Sequence, residues 1–248
     1  MFSLKLAEPR ILNGTVSILS DFITEATLSV QKDGLKLVAM DPANISMVVL
    51  HILPSAFTEY QVETSEDITV NLEALKQAIK RAKPTDAIAL TVEKNKLKLT
   101  VFSKSTKRFY IPLLEREAKE RKVPALEFMA LAEVNANEFR DYIDDVSFGG
   151  DAVSFEIDKS VFAMSAGDTG SKAHVELTKG NDALLQLSAK DAVRATYSVE
   201  YLKKMARAAA LSDTATVQFS SDYPLRLDFK SLNKLSMSFI LAPRIENK

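Results

Sequence analysis

The chain has two histidines, His51 and His174, and no cysteine among its 248 residues. Disulfides, thiolate zinc sites and a cysteine nucleophile are therefore excluded, which fits a reducing compartment. Each histidine sits in a stretch of alternating apolar and polar residues, MVVLHIL and KAHVELT. That pattern assigns both to strands with a structural role. No G-x-S-x-G, H-E-x-x-H or G-x-x-x-x-G-K-[ST] occurs. The loop Gly167 to Lys172, GDTGSK, departs from a phosphate loop because its lysine precedes Ala173 and a strand pattern follows, so it reads as a turn. The acids of EFRDYIDDV (Asp141, Asp144, Asp145) could hold a hard cation, but helical spacing splays them. No enzyme, metal site or cofactor is expected. What repeats is a pattern of cations: Lys76, Lys80 and Lys83 at i, i+4, i+7, and Lys203 and Arg207 at i, i+4, flanked by Arg81 and Lys204.

These cations occupy equivalent places in two halves of the chain. Shifted by about 127 positions, LEALKQAIKRAKPTDAIALTV (residues 72–92) falls on VEYLKKMARAAALSDTATVQF (residues 199–219). Glu73 then meets Glu200, Leu75 meets Leu202, Lys76 meets Lys203, Lys80 meets Arg207 and Asp86 meets Asp213. One position further on, Phe109, Ile111 and Leu113 meet Met237, Phe239 and Leu241. Residues 1–114 and 129–248 are thus expected to be two copies of one domain, joined by the charged connector 115–128, EREAKERKVPALEF.

Each half alternates period-2 stretches with two amphipathic helices. In the first half the strands are FSLKLA, ATLSVQ, LKLVAM, SMVVLHIL, ITVN, AIALTVE, LKLTVF and KRFYIPLL. The helices are expected over residues 11–23 and 72–83, with Pro84 stopping the second, and over residues 138–146 and 199–209 in the second half. The fold class is α+β: two repeated domains of antiparallel sheets with two helices each on one face. At 46% hydrophobic and 26% charged residues the chain can fill two ordinary cores. Its apolar runs are too short to cross a bilayer, and MFSLKLAEP lacks the basic and apolar regions of a signal peptide. Residues 1–114 carry 14 Lys and Arg against 12 acids, and residues 129–248 carry 14 against 17, so the halves differ in sign.

MDPANISMV, VNLEALKQAIK, FYIPLL, FGGDAV and the closing FILAPRIE together resemble the archaeal and eukaryotic sliding clamp, the proliferating cell nuclear antigen family, over essentially the whole chain and in order. The resemblance implies a processivity-clamp fold: three subunits, head to tail, form a six-domain ring whose helices line a hole around duplex DNA. It gives the cations their role, because scattered phosphate contacts without base readers hold DNA weakly and blindly to sequence. Lys76, Lys80, Arg81, Lys83, Lys203, Lys204 and Arg207 would form that lining. The first and third helices depart from the family, offering Asn13, Gly14, Ser17, Ser20 and Asp21 in one and Asp141, Asp144 and Asp145 in the other.

Under the same resemblance, edge pairing of TKRFYIPLL with KAHVELT would join subunits through Phe109, Ile111, His174, Val175 and Leu177. Arg81, Lys83, Lys107 and Arg108 would face Glu138, Asp141, Asp144 and Asp145. A pocket for short apolar-aromatic peptides of DNA polymerase, ligase and flap nuclease would comprise Met40, Asn44, Ile45, Met47, Val123, Pro124, Leu126, Pro224, Ile240, Ala242 and Pro243. A clamp loader and an intracellular location would follow: nucleoid or cytoplasm in an archaeon, nucleus in a eukaryote. The alternatives are one subunit of a heterotrimeric or checkpoint-type clamp and, from another class, a nucleotide-dependent enzyme using the Gly167 to Lys172 loop.

Overall fold

A computed structural model describes residues 1–115, 121–167 and 170–245, and it divides the chain into two compact units. Unit 1 comprises residues 1–42, 48–123 and 231–237, and unit 2 comprises residues 43–47, 124–230 and 238–248. In chain order the first nine strands are β1 (Phe2–Leu6), β2 (Glu25–Gln31), β3 (Gly34–Met40), β4 (Ser46–Ile52), β5 (Glu59–Val62), β6 (Glu66–Asn71), β7 (Ala87–Glu93), β8 (Lys96–Phe102) and β9 (Thr106–Pro112). Helix α1 (Arg10–Leu19) follows β1, and α2 (Leu72–Ile79) follows β6. The second series repeats this order: β10 (Ala130–Asn135), α3 (Ala136–Val146), β11 (Ala152–Ile157), β12 (Val161–Ala166), β13 (Ala173–Thr178), β14 (Leu184–Ala189), β15 (Val193–Ser198), α4 (Val199–Ala206), β16 (Thr214–Phe219), β17 (Leu225–Ser231) and β18 (Leu235–Leu241).

Sheet order repeats as well. β5-β1-β7-β8-β9 in the first series matches β14-β10-β16-β17-β18 in the second, and β4-β3-β2-β6 matches β13-β12-β11-β15. The internal repeat read from residue types is therefore a repeat of topology. Strands pair antiparallel, with registers such as Leu4↔Leu90 and Phe155↔Met164. One strand, β5, is absent from the strands read in the sequence: EYQV is four residues long and its alternation amounts to Tyr60 and Val62 alone, too short to stand out.

Local chemistry sets the element ends. The Asn71 side chain accepts from the Ala74 N–H at 2.9 Å and starts α2, and Asn135 accepts from the N–H groups of Asn137 and Glu138 to start α3. Lys94 and Asn95 both have positive φ and form the two-residue turn between β7 and β8. Helices α1, α2 and α4 end sooner than their apolar spacing predicts, and α3 starts two residues earlier, at Ala136. After Ile79 the bonds tighten to Arg81 N–H→Ala78 O and Ala82 N–H→Ile79 O, and after Ala206 the chain continues as a 3-10 helix, Arg207–Leu211. The i, i+3 bonds still satisfy the last carbonyls, so the apolar pattern continues past the α-helix proper.

The two cores differ. Leu4, Leu12, Leu19, Leu72, Leu75, Leu97 and Leu99 fill unit 1, whereas unit 2 is built around Phe155. Its ring meets those of Phe139, Phe162, Tyr197 and Phe219 edge-on, with centroids 5.6–6.5 Å apart. In unit 1, Thr15 on α1 is buried with its hydroxyl unpartnered among the described residues. Thr15→Val keeps the shape and removes an unsatisfied polar atom, so it raises stability by about 1 kcal/mol; a urea midpoint that fails to rise refutes this.

Candidate functional site

α2 and α4 each bury one face, Leu72, Leu75, Ala78 and Ile79 in the first and Val199, Leu202, Met205 and Ala206 in the second. The cations take the opposite face, where Lys80, Arg81, Lys83, Lys203 and Arg207 are exposed and Lys76 and Lys204 half-buried. Lys80, Arg81 and Lys83 stand beyond the end of α2, on a turn held by Asp86, whose buried carboxylate accepts the Lys83 N–H at 2.9 Å.

Several of these cations are engaged within the chain. α1 packs on α2, and Lys76 Nζ donates to Ser20 Oγ at 2.9 Å. In the equivalent pair, Lys203 Nζ lies 3.2 Å from Asp144 Oδ1 and 3.2 Å from Ser147 Oγ. Lys204 pairs with Glu200 at 2.7 Å, and this ammonium holds the Glu200 carboxyl below the usual carboxylate range. The acids of α3 thus act partly inside their own chain: Asp144 meets Lys203, and Asp141 meets Arg140 at 2.8 Å. The family resemblance offers all four acids to a neighbouring subunit, and the sequence does not reveal that α4 packs beside α3. Glu138 and Asp145 are exposed.

β9 ends its five-stranded sheet and β13 ends its four-stranded sheet. Among the described residues, each therefore pairs on one side and leaves the other edge open. Along β9, Lys107 and Arg108 are exposed, Phe109 is half-buried and Ile111 is buried; along β13, His174 is exposed, Val175 half-buried and Leu177 buried. Ile111 and Leu177 face their own cores, so only their backbones are offered at an edge. His174 bonds Ser165 Oγ through Nδ1 at 2.7 Å, and His51 Nε2 lies 3.0 Å from Asp33 O. Both histidines sit in strands, as expected.

Within unit 2, the Ala242 N–H donates to Ile45 O at 3.0 Å and the Arg244 N–H to Thr196 O at 2.7 Å. An ion pair between Arg244 and Asp151, 3.0 Å, also ties the closing segment down. Asn44, at φ +57°, and Ile45, 39% exposed, bring a polar and an apolar side chain to the surface beside Ala242. Pro124 is exposed, and Leu126, Pro224, Ile240 and Pro243 are half-buried. Met47 is only 6% exposed, yet by alternation it lies on the face of β4 opposite Val48, Leu50 and Ile52. In unit 1, Met40 is half-buried and Val123 exposed. The connector residues 116–120 lie outside the described residues.

Of the Gly167 to Lys172 loop, Asp168 and Thr169 lie outside the described residues. Gly167 has φ +97°, and a Cβ there would come within 2.0 Å of Ser171 O, so its glycine serves a tight turn. Strand β13 follows instead of a helix N-terminus. Among the described residues, no group of three or more His, Asp or Glu is placed to hold a metal ion.

Residues 1–117 match the N-terminal domain of proliferating cell nuclear antigen, and residues 122–245 match its C-terminal domain. A DNA polymerase sliding clamp of Nanoarchaeum equitans is 36% identical over 241 residues, covering 96% of this chain and 97% of that one. Another from Pyrococcus furiosus is 30% identical and covers 92% of each. Among solved structures, the proliferating cell nuclear antigen of Thermococcus kodakaraensis superposes with a TM-score of 0.92 at 25% identity, covering 98% of this chain and 100% of that one. A complex of two such antigens from Sulfolobus tokodaii gives a TM-score of 0.91 at 27% identity, covering 98% of this chain and 99% of the matched chain. With repeated topology, repeated cations and both domain models matched in order, the chain belongs to the proliferating cell nuclear antigen family of DNA polymerase sliding clamps, non-enzymatic processivity factors.

Proposed function

We propose that three copies of this chain close head to tail into a six-domain ring around duplex DNA and tether replication and repair enzymes to it. In this reading, residues 1–114 and 129–248 are the two clamp domains and 115–128 joins them. One observation carries the assembly. Of the strands that end sheets, β9 and β13 are the two whose repeat counterparts, β18 and β4, do not. Those counterparts are already adjacent in the fold: the Leu53 N–H just after β4 donates to Lys234 O just before β18, 2.8 Å, within unit 1, and Ala242 bonds Ile45 within unit 2. The same edges on successive copies have the same backbone groups to satisfy. Repeating one joint with a fixed rotation closes a ring.

Lys76, Lys80, Arg81, Lys83, Lys203, Lys204 and Arg207 then serve as the weak phosphate contacts of the hole. Opening the ring requires a loader. The surface at Asn44, Ile45, Ala242 and Pro243 takes the docking peptides of polymerase, ligase and flap nuclease, and the protein works where the DNA is, in the nucleoid of an archaeon or the nucleus of a eukaryote. A second reading, one subunit of a heterotrimer, is favoured by the likeness to a clamp solved as a complex of two different antigens. Sedimentation of the purified chain separates the two: a self-trimer supports the first, and a monomer at every concentration supports the second. Stimulation of a polymerase on a long primed template tests the activity, and none would overturn both.

Ile45→Lys places a charge where an apolar anchor docks while leaving the core intact, since the side chain is already partly exposed. It weakens binding of a peptide of the form Q-x-x-aliphatic-x-x-aromatic-aromatic by about tenfold or more. An unchanged affinity in calorimetry means that the docking surface lies elsewhere.

A further inference from the structure

We infer that Phe148 is the aromatic anchor of the joint between copies, packing on Arg81 of the next copy. The inference rests on the ring reading above and adds a contact to it. Phe148 is 72% exposed, a level normal for a loop tip but costly for an aromatic ring held in place. It is held in place. The residues Ser147–Gly149 form a 3-10 turn directly after α3. Ser147 Oγ donates to Asp144 O and accepts from Lys203 Nζ, and the Gly150 N–H returns to Ser147 O. Gly149 presses so closely on β12 that a Cβ would lie 2.3 Å from Ala166 O. The turn therefore packs against β12 and β13, the last strand of its sheet, with the ring left exposed.

The opposite edge has the matching part. α2 packs against β9 as α3 packs against β13, so each open edge carries a helix end at its side. At the end of α2 stands Arg81, exposed and one residue beyond the helix cap Lys80. When β9 of one copy meets β13 of another, these helix ends come together. A planar guanidinium stacks on an aromatic face better than an ammonium does, and the exposed acids Glu138 and Asp145 on α3 add charge complementarity. Leu232 at 87%, Ile245 at 78% and Met1 at 74% are more exposed apolar side chains, but none of them is aromatic. Exposure alone does not mark an anchor; an exposed ring on a rigid turn at an open edge does.

The test is sedimentation equilibrium of the full chain with F148A, R81A and the double variant, with circular dichroism as a check of folding. F148A raises the concentration for half-assembly about tenfold, F148L recovers part of the loss, and the double variant is little worse than either single one because both remove the same contact. F148A assembling like the wild type overturns the anchor while leaving the ring intact. So do effects of F148A and R81A that simply multiply. A wild-type chain that stays monomeric overturns the self-assembled ring, and the anchor with it.

Discussion

Neutralising Lys76, Lys80, Lys203 and Arg207 together to Gln abolishes the stimulation of a polymerase on long primed templates at physiological salt. Extension of short templates, where one binding event suffices, is unchanged. The ground for this is physical: a protein that slides cannot hold DNA through tight, directed contacts, so its retention comes from a few phosphate contacts of the counterion-release kind. Each such contact contributes about −0.9 to the slope of log K against log salt, and removing four positions per subunit takes most of that slope away. The side chains lie opposite the buried faces of α2 and α4, so the core is not disturbed. Lys76 loses its bond to Ser20 and Lys203 its ion pair with Asp144, both partly exposed and each worth at most about 1 kcal/mol. Unaltered processivity in the fourfold variant, with assembly intact, would remove these residues from the DNA-facing role.

Phe155→Ala lowers the stability of unit 2 by about 3–5 kcal/mol. Phe155 is fully buried and is the ring shared by four aromatic contacts, so truncation both loses transfer energy and leaves a cavity bounded by Phe139, Phe162, Tyr197 and Phe219. Collapse into that space is limited because β11 is bonded on both sides, to β12 and to β15. Guanidinium unfolding followed by circular dichroism reads the loss; a shift under about 1 kcal/mol would mean that the cluster repacks. Burial also pushes the Tyr197 hydroxyl well above the usual tyrosine range, while it donates to Tyr223 O at 2.8 Å, so this part of the core stays neutral at any working pH.

Much of the fold was legible because its causes are local. Alternation in FSLKL places Phe2, Leu4 and Leu6 on one face whatever surrounds them, and Leu72, Leu75 and Ile79 share a helix face by spacing alone. The duplication was legible too, since the 127-residue offset that aligns Lys76 with Lys203 also aligns α2 with α4 at both ends. EYQV escapes notice because two alternating apolar residues, Tyr60 and Val62, are too few to mark a strand.

What residue types could not decide is which surfaces stay open. That depends on neighbours brought from far along the chain: α4 beside α3 engages Lys203 with Asp144, and the position of β4 in its sheet buries Met47 while leaving Ile45 at the surface. Whether a strand has an open edge is likewise a property of sheet order, and it distinguishes β9 and β13 from their repeat counterparts β18 and β4. Sequence determined the repeated domain and its cationic helices, because periodicity and charge are written residue by residue. Tertiary structure alone decided which strand edges end a sheet and which side chains face water, because an unpaired backbone edge or a ring facing water is defined by what does not pack against it.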